Sequence, residues 1–389
     1  MSDFPAPPAA ALASSAALGE RIRADIEAAE GSIPFSLYME RCLYQPGLGY
    51  YSAGQQKFGS GGDFVTAPEL SPLFGQCIAH TAQAVLASMA GGEILEFGAG
   101  SGRLAIDVLG ELQRLDALPQ RYLILERSAE LRQRQQQALA AQLPQLCERV
   151  VWIDSLPAGG FHGVMLANEV LDAMAVERFH WDGEHASLFH TVFDGERFHW
   201  LLPEQQQDAL LEDIAQLARS LALQPGYISE FNAVLPAWLH SVADSLQQGL
   251  LLLIDYGYPQ HEFYHPQNSS GTLMCHYRQR AHDDPFLWPG LQDITAHVDF
   301  TAVATAAVAA GLAVSGYTTQ AGFLLDSGLD GLLQQAGPTD SLAYMQLAQQ
   351  AKTLILPGEM GERFKCMGLT RALDMELPGF RLQDFRHRL

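Results

Sequence analysis

The stretch Glu93-Ile-Leu-Glu96-Phe-Gly98-Ala-Gly100-Ser-Gly102-Arg103-Leu104 decides the fold. A short apolar run closes on an acid, three glycines follow at alternate positions, and a helical pattern then begins. That order predicts a strand, a tight turn and a helix start. Glycine there permits positive φ and lets a flat polar ligand approach the backbone. The helix behind the turn offers free N–H groups. A dinucleotide fingerprint needs glycine at the first, third and sixth places, and the sixth place from Gly98 is Arg103. No Gly-Lys-Ser/Thr follows, so the phosphate-loop pattern fails as well.

Outward from this turn, strands and helices alternate. Candidate strands are Ile94–Phe97, Tyr122–Leu125, Val150–Ile153, Gly163–Ala167 and Leu250–Ile254. Each is short, apolar and non-alternating, as strands buried on both faces are. Candidate helices are Arg103–Leu115, Ala129–Gln142 and Gln205–Leu221. The alternation predicts an α/β fold built on a parallel sheet with right-handed crossovers. Arg178–Leu202 alternates aromatic and polar residues around Asp182-Gly183 and Asp194-Gly195, which predicts an antiparallel excursion. Further on we expect a helix at Phe300–Ala310, a strand at Leu312–Thr318 and a strand pair, Thr353–Leu356 with Phe364–Thr370.

Residues 1–90 are expected to form an N-terminal segment over the site: an arm to Leu18, helices near Leu18–Glu30 and within Ile33–Tyr51, a glycine-rich loop, then a helix at Leu70–Met89. Residues 91–389 are expected to form the main domain. Its insertions are a hairpin near 178–202, a loop near 258–299 and helices near 324–350.

The chain has 389 residues, enough for one large domain with insertions or for two. No apolar run approaches the ~18 residues of a membrane span. The N-terminus lacks a basic cluster before an apolar core and has no Arg before Arg21, so neither a secretory nor a transit signal is expected. The net charge of −21 disfavours nucleic acid as a partner, because phosphate binding needs a basic face. It suits a basic acceptor such as an arginine- or lysine-bearing protein, or solubility alone. Five isolated cysteines (Cys42, Cys77, Cys147, Cys275, Cys366), with no C-x-x-C pair, suit a reducing cytoplasm. A homo-oligomer is compatible with all of this.

The remaining glycine pattern, acid-x-Gly-x-Gly-x-Gly, resembles the first-strand turn of S-adenosylmethionine (SAM) methyltransferases. Ligands of open α/β sheets sit beyond the carboxyl ends of the strands. Those ends carry Glu96 with Gly98, Gly100 and Gly102, then Glu126, Asp154, Asn168-Glu169-Val-Leu-Asp172 and Asp255-Tyr256. Glu126 is placed to accept ribose hydroxyls, and Asp154 to stand beside the adenine. Glu169 and Asp172 share one face of a helical first turn. They either favour a helix start through its dipole or clamp a guanidinium, which stays protonated at physiological pH. Gly61–Glu69, with Asp63, Thr66 and Pro68, is a candidate for cofactor contacts or a lid. His297, in Gln292-Asp293-Ile-Thr-Ala-His297-Val-Asp299, is either a proton relay or a structural histidine. No metal-binding spacing such as H-E-x-x-H is present.

The chain resembles the MidA-like methyltransferases, relatives of the mitochondrial complex I assembly-factor methyltransferase. The resemblance rests on Tyr44–Tyr51, Gly62–Gly75, Glu96–Leu104, Asn168–Ala173, Asp255–Gly257 and Gln292–Phe300. It implies a Rossmann-like class I fold, with a seven-stranded, mostly parallel sheet, an antiparallel edge strand and helical insertions. It implies SAM as donor, S-adenosyl-L-homocysteine as product and, in the mitochondrial branch, symmetric dimethylation of a protein arginine. The acceptor partner would then be a respiratory complex I subunit or assembly intermediate. Gly98, Gly100 and Gly102 match the family's cofactor loop, and Glu126 its ribose acid. Asn168, Glu169 and Asp172 match its active-site motif, with Asn168 placed on the donor side and Glu169 and Asp172 as catalytic acids. Asp255, Tyr256 and His297 are assigned to the acceptor. Met174-Ala175 departs from the expected Met-Pro. With no mitochondrial presequence, a bacterial cytoplasmic member is expected. Two other readings stand beside this one: a SAM-binding assembly factor or chaperone, and a small-molecule methyltransferase.

Overall fold

The computed structural model describes residues 4–52, 66–204, 206–339 and 341–389. The central sheet has eight strands, of which seven, numbered here in chain order, form its continuous path: β1 (Glu93–Phe97), β2 (Tyr122–Leu125), β3 (Val150–Ile153), β4 (Phe161–Asn168), β5 (Leu246–Tyr258), β6 (Ala313–Thr319) and β7 (Phe364–Arg371). Their spatial order is β6-β7-β5-β4-β1-β2-β3. The pairings among β1 to β5 are parallel. β7 runs against both its neighbours, so the reversed strand lies one place in from the edge.

Alternate residues of each strand serve opposite faces. Ile94, Ile124, Leu250 and Leu252 pack with Phe74, Ile78 and Val85 of the helix Pro72–Ser88. Leu95, Leu123, Leu251 and Leu253 pack on the other face with Leu239, Phe300 and Val303. The helix Pro72–Ser88 thus belongs by packing to the central sheet. The helices Ala9–Ala28 and Phe35–Tyr44 instead share a separate core with the insertions, through Leu18, Tyr38, Phe198 and Ile294.

Three local expectations are corrected. The first helix begins at Ala9, not near Leu18. Alanine is the best helix former, and the run after Pro8 folds accordingly. Thr353–Leu356 is no strand: the helix Leu342–Ile355 runs through it, and Ala351 and Leu354 dock on the core at helical spacing. Leu356 turns extended before Pro357. The excursion at 178–202 splits into two sheets. Glu177–Trp181 pairs with Ala186–Leu188 and Tyr227–Phe231, whereas His190–Phe193 pairs with Phe198–Leu201 and with Ile33–Pro34. Both turns form where expected, with Asp182 and Asp194 each accepting two backbone N–H bonds.

β5 is longer than its apolar run. Its end pairs with a two-residue parallel strand, Val298–Asp299, which brings His297 beside the sheet. A Cβ on Gly257 would stand 2.1 Å from the Val298 carbonyl oxygen. Gly257→Ala is therefore expected to force these strands apart and cost about 1–3 kcal/mol, the usual range for overpacking. Urea unfolding of the variant against wild type checks this; an unchanged midpoint would refute it.

Candidate active site

A crevice of about 1800 Å³ opens at the carboxyl ends of β1 and β4, where the strand order reverses. Gly98 and Gly100 of the glycine turn line its floor and Gly102 packs behind them on Gln135, all three left-handed, at φ 61°, 53° and 85°. Among the described residues, a Cβ at Gly98 would meet nothing within 4 Å, so the backbone there is open to a ligand. Glu96 is buried beneath the turn. It accepts a 2.7 Å hydrogen bond from the Tyr122 hydroxyl, and burial pushes its carboxyl up to about 7.

Glu126 reaches the crevice from the end of β2. Its Oε1 accepts from the Ser128 N–H at 2.9 Å and its Oε2 from Gln135 Nε2 at 3.0 Å. Each oxygen keeps acceptor capacity for a further donor. Gln135 was not singled out in the sequence. It is fully buried, also donates to the Gly100 carbonyl at 3.0 Å, and accepts from Trp152 at 2.9 Å. A signal existed: Leu131, Gln135 and Leu139 form a buried i, i+4 stripe, and only Gln135 is polar. Asp154 is corrected. It lies outside the crevice lining, with its side chain 87% exposed and paired to Arg132 at 2.6 Å. Thr66 and Pro68 line the crevice, while Asp63 lies outside the described residues.

The turn after β4 brings Asn168, Glu169 and Asp172 to the opposite wall. Glu169 is left-handed, at φ 51°. A non-glycine residue in that region is strained and needs support. Asp255 provides it from β5. Its Oδ2 accepts the N–H groups of Val170, Leu171 and Asp172 at 3.2, 2.9 and 3.3 Å, and its Oδ1 accepts the Tyr256 N–H at 2.9 Å. Asp255 is 1% exposed and does not line the crevice, so its expected place beside the acceptor is corrected to that of a backbone clamp. The expectation failed because β5 continues past Ile254 and buries what the sequence presents as a strand end.

Burial and the charges of Asp172 and Asp293 push the Glu169 carboxyl up to about 8. Asp172 rises to about 6, chiefly by burial, against a 2.5 Å hydrogen bond from the Tyr256 hydroxyl to its Oδ2. Among the described residues, its Oδ1 is buried with no partner. Burial and these two neighbouring carboxylates also push Asp255 up.

Residues from the N-terminal segment complete this wall. Tyr44 and Tyr51 stack at 5.5 Å; Tyr44 donates to the Ala173 carbonyl at 2.8 Å, and Tyr51 to Asp293 at 3.0 Å. His297 lines the crevice edge-on to Tyr256 and Tyr258. Burial, with the nearby Lys365 and Arg363, lowers its imidazole to about 4. It is neutral near pH 7, so a relay based on titration near neutrality is corrected. Among the described residues, no cluster of three or more His, Cys, Asp or Glu is placed to hold a metal ion, and no helix is long and apolar enough to cross a membrane.

Glu169 and Asp172 carry a stability consequence. Between about 4.5 and about 8 the native Glu169 keeps a proton that the unfolded chain releases. Raising the pH through that window therefore favours unfolding. The ligand-free protein is expected to melt at lower temperature at pH 8 than at pH 6, and Glu169→Gln to flatten that slope. Thermal melts across the window check it; parallel slopes would contradict the assignment.

The crevice can be set beside known proteins. Residues 73–318 match the family model described as "Putative S-adenosyl-L-methionine-dependent methyltransferase". The chain is similar to a protein from Burkholderia thailandensis solved with S-adenosyl-homocysteine, at 43% identity, 100% coverage of both chains and a TM-score of 0.95. A native structure from the same organism aligns at 42% identity, 100% coverage of both chains and a TM-score of 0.92. Two mitochondrial protein arginine methyltransferase NDUFAF7 homologs, from Caenorhabditis elegans and Drosophila melanogaster, are 26% and 28% identical to it. These alignments cover 87% and 90% of this chain and 83% and 84% of those proteins. The open backbone at Gly98 and the spare acceptor capacity of Glu126 fit a nucleoside cofactor. The chain belongs to this family of SAM-dependent methyltransferases, with SAM as its cofactor.

Proposed function

We propose that the protein transfers a methyl group to an arginine side chain of a protein partner. One observation carries the reading: two carboxylic acids, the half-buried Glu169 and the buried Asp172, face the crevice, and among the described residues no cation pairs with either and the Asp172 Oδ1 has no partner. Among the described residues, carboxylates outnumber guanidiniums along the lining, where the arginines are Arg103, Arg127 and Arg363. A cationic acceptor would satisfy both acids at once, because a planar guanidinium matches carboxylates in fork geometry. The two relatives named as protein arginine methyltransferases support the same class.

Bound SAM supplies an electrophilic sulfonium methyl. The chain's own residues orient and deprotonate the acceptor. Glu169 and Asp172 hold the guanidinium, drawing its charge toward them and leaving one terminal nitrogen facing the donor. Positioning and electrostatics supply most of the acceleration. That nitrogen must give up a proton as its new C–N bond forms, and Asp172 Oδ1 is the free acceptor beside it. The Tyr256 hydroxyl, bonded to the other oxygen, holds the carboxylate in place.

Glu169 must lose its own proton to receive the cation. The kcat/KM for an arginine acceptor is thus expected to rise as the pH approaches about 8 and then level off. Glu169→Gln should keep S-adenosyl-homocysteine affinity and lose about 10²–10³ in kcat, the size of other losses of electrostatic stabilisation. Calorimetry and methyl transfer to arginine-bearing proteins from a strain lacking this protein check both. Equal loss of donor binding would overturn the clamp. Methylation recovered on a small molecule, with none on protein arginine, would replace the acceptor class.

A further inference from the structure

The donor's amino-acid end bears a carboxylate, and Arg103 is a cation at the floor of the crevice with no role so far. Arg103 opens the helix Arg103–Arg114, whose first turn contains no acid. A cation is the wrong charge for that position, because the helix dipole favours anions there. A residue that breaks a local rule points to function when its local partner answers only part of it, and Asp107 engages only the Arg103 Nε.

The surroundings fix the guanidinium. Its Nε donates to Asp107 Oδ2 at 2.8 Å, one helical turn on. Among the described residues its two terminal nitrogens have no partner. Asp107 is 9% exposed and is packed by the neighbouring helix: a Cβ on Gly75 would stand 2.6 Å from the Asp107 Cβ. Glycine at 75 thus lets the helix Pro72–Ser88 close over Asp107 and anchor Arg103 from behind. In front, Ser101 Oγ accepts from the Arg103 N–H at 3.2 Å and donates to the Glu69 carboxylate. Glu69 also lines the crevice. Ser101 thus ties the Arg103 backbone to the Glu69 carboxylate, and Arg103 and Glu69 line one crevice with charges opposite to the two ends of a zwitterionic amino acid.

We propose that Arg103 binds the cofactor's α-carboxylate, that Glu69 receives its ammonium, and that Asp107 and Gly75 act as positioning residues behind Arg103. This end of the donor would then be selected for by charge, independently of the nucleoside end held near Glu126 and of the acceptor.

The test compares S-adenosyl-homocysteine with its decarboxylated analogue, S-adenosyl-3-thiopropylamine, by calorimetry. 5′-Methylthioadenosine serves as the nucleoside control. Wild type should prefer S-adenosyl-homocysteine over the decarboxylated analogue. Arg103→Ala should weaken S-adenosyl-homocysteine about 10- to 100-fold, the range expected for charged hydrogen bonds. Affinity for the other two ligands should hold, so that the preference disappears. Should Arg103→Ala fail to fold, Arg103→Lys and Asp107→Asn carry the reading, each with a smaller loss confined to S-adenosyl-homocysteine. Equal weakening of all three ligands, or a preference that survives in every variant, would overturn the assignment. The arginine-acceptor reading would stand in either case, because no acceptor enters the experiment.

Discussion

One buried carboxylate organises the active wall. Asp255 gathers three consecutive backbone N–H groups of the turn after β4 on one oxygen and its neighbour's N–H on the other. That grip compensates for the left-handed conformation of Glu169, which costs of order 1–3 kcal/mol on its own. The same grip turns Glu169 and Asp172 toward the crevice. Without it the turn has no reason to hold Asp172 buried and Glu169 half-buried, because each would be better hydrated in solvent. The β5–Val298 pairing and the β7 contact hold Asp255 itself.

Electrostatic strain follows from this arrangement. Glu169, Asp172 and Asp255 crowd one end of the sheet, and Asp293 adds to the field at Glu169. Such crowding destabilises the empty protein at high pH and rewards a cation that enters. Binding energy and catalytic poise come from the same source, as expected where perturbed carboxyls cluster in a cleft. Across the crevice, Glu126 accepts from neutral donors, Ser128 and Gln135, and its charge helps to push up the buried Glu96.

The sheet was legible because its strands are continuous apolar runs bounded by acids or glycines, as at Ile94–Phe97 and Tyr122–Leu125. The glycine turn and Glu126 were legible for the same local reason. What failed was context. Asp154 and Asp255 look alike in sequence, each an acid after an apolar strand. One is left at the surface with Arg132, and the other is swallowed by a longer strand. Pairing distinguishes them: β3 is an edge strand, whereas β5 lies between β4 and β7 and runs on to Val298, and those contacts are long-range. Tyr44, Tyr51 and Asp293 join the wall through packing between the N-terminal segment and the insertions, which periodicity does not reveal. Thr353–Leu356 misled because a short apolar run suits a strand or a buried helix end equally.

The most direct test of this account is a crystal structure of Asp255→Asn with S-adenosyl-homocysteine. The amide keeps the shape but turns one acceptor into a donor facing backbone N–H groups. The account predicts the nucleoside in place and the turn at 168–172 redrawn, with Glu169 out of the left-handed region and its carboxyl withdrawn from the crevice. A turn unchanged from wild type, with both acids still facing the ligand, would contradict it.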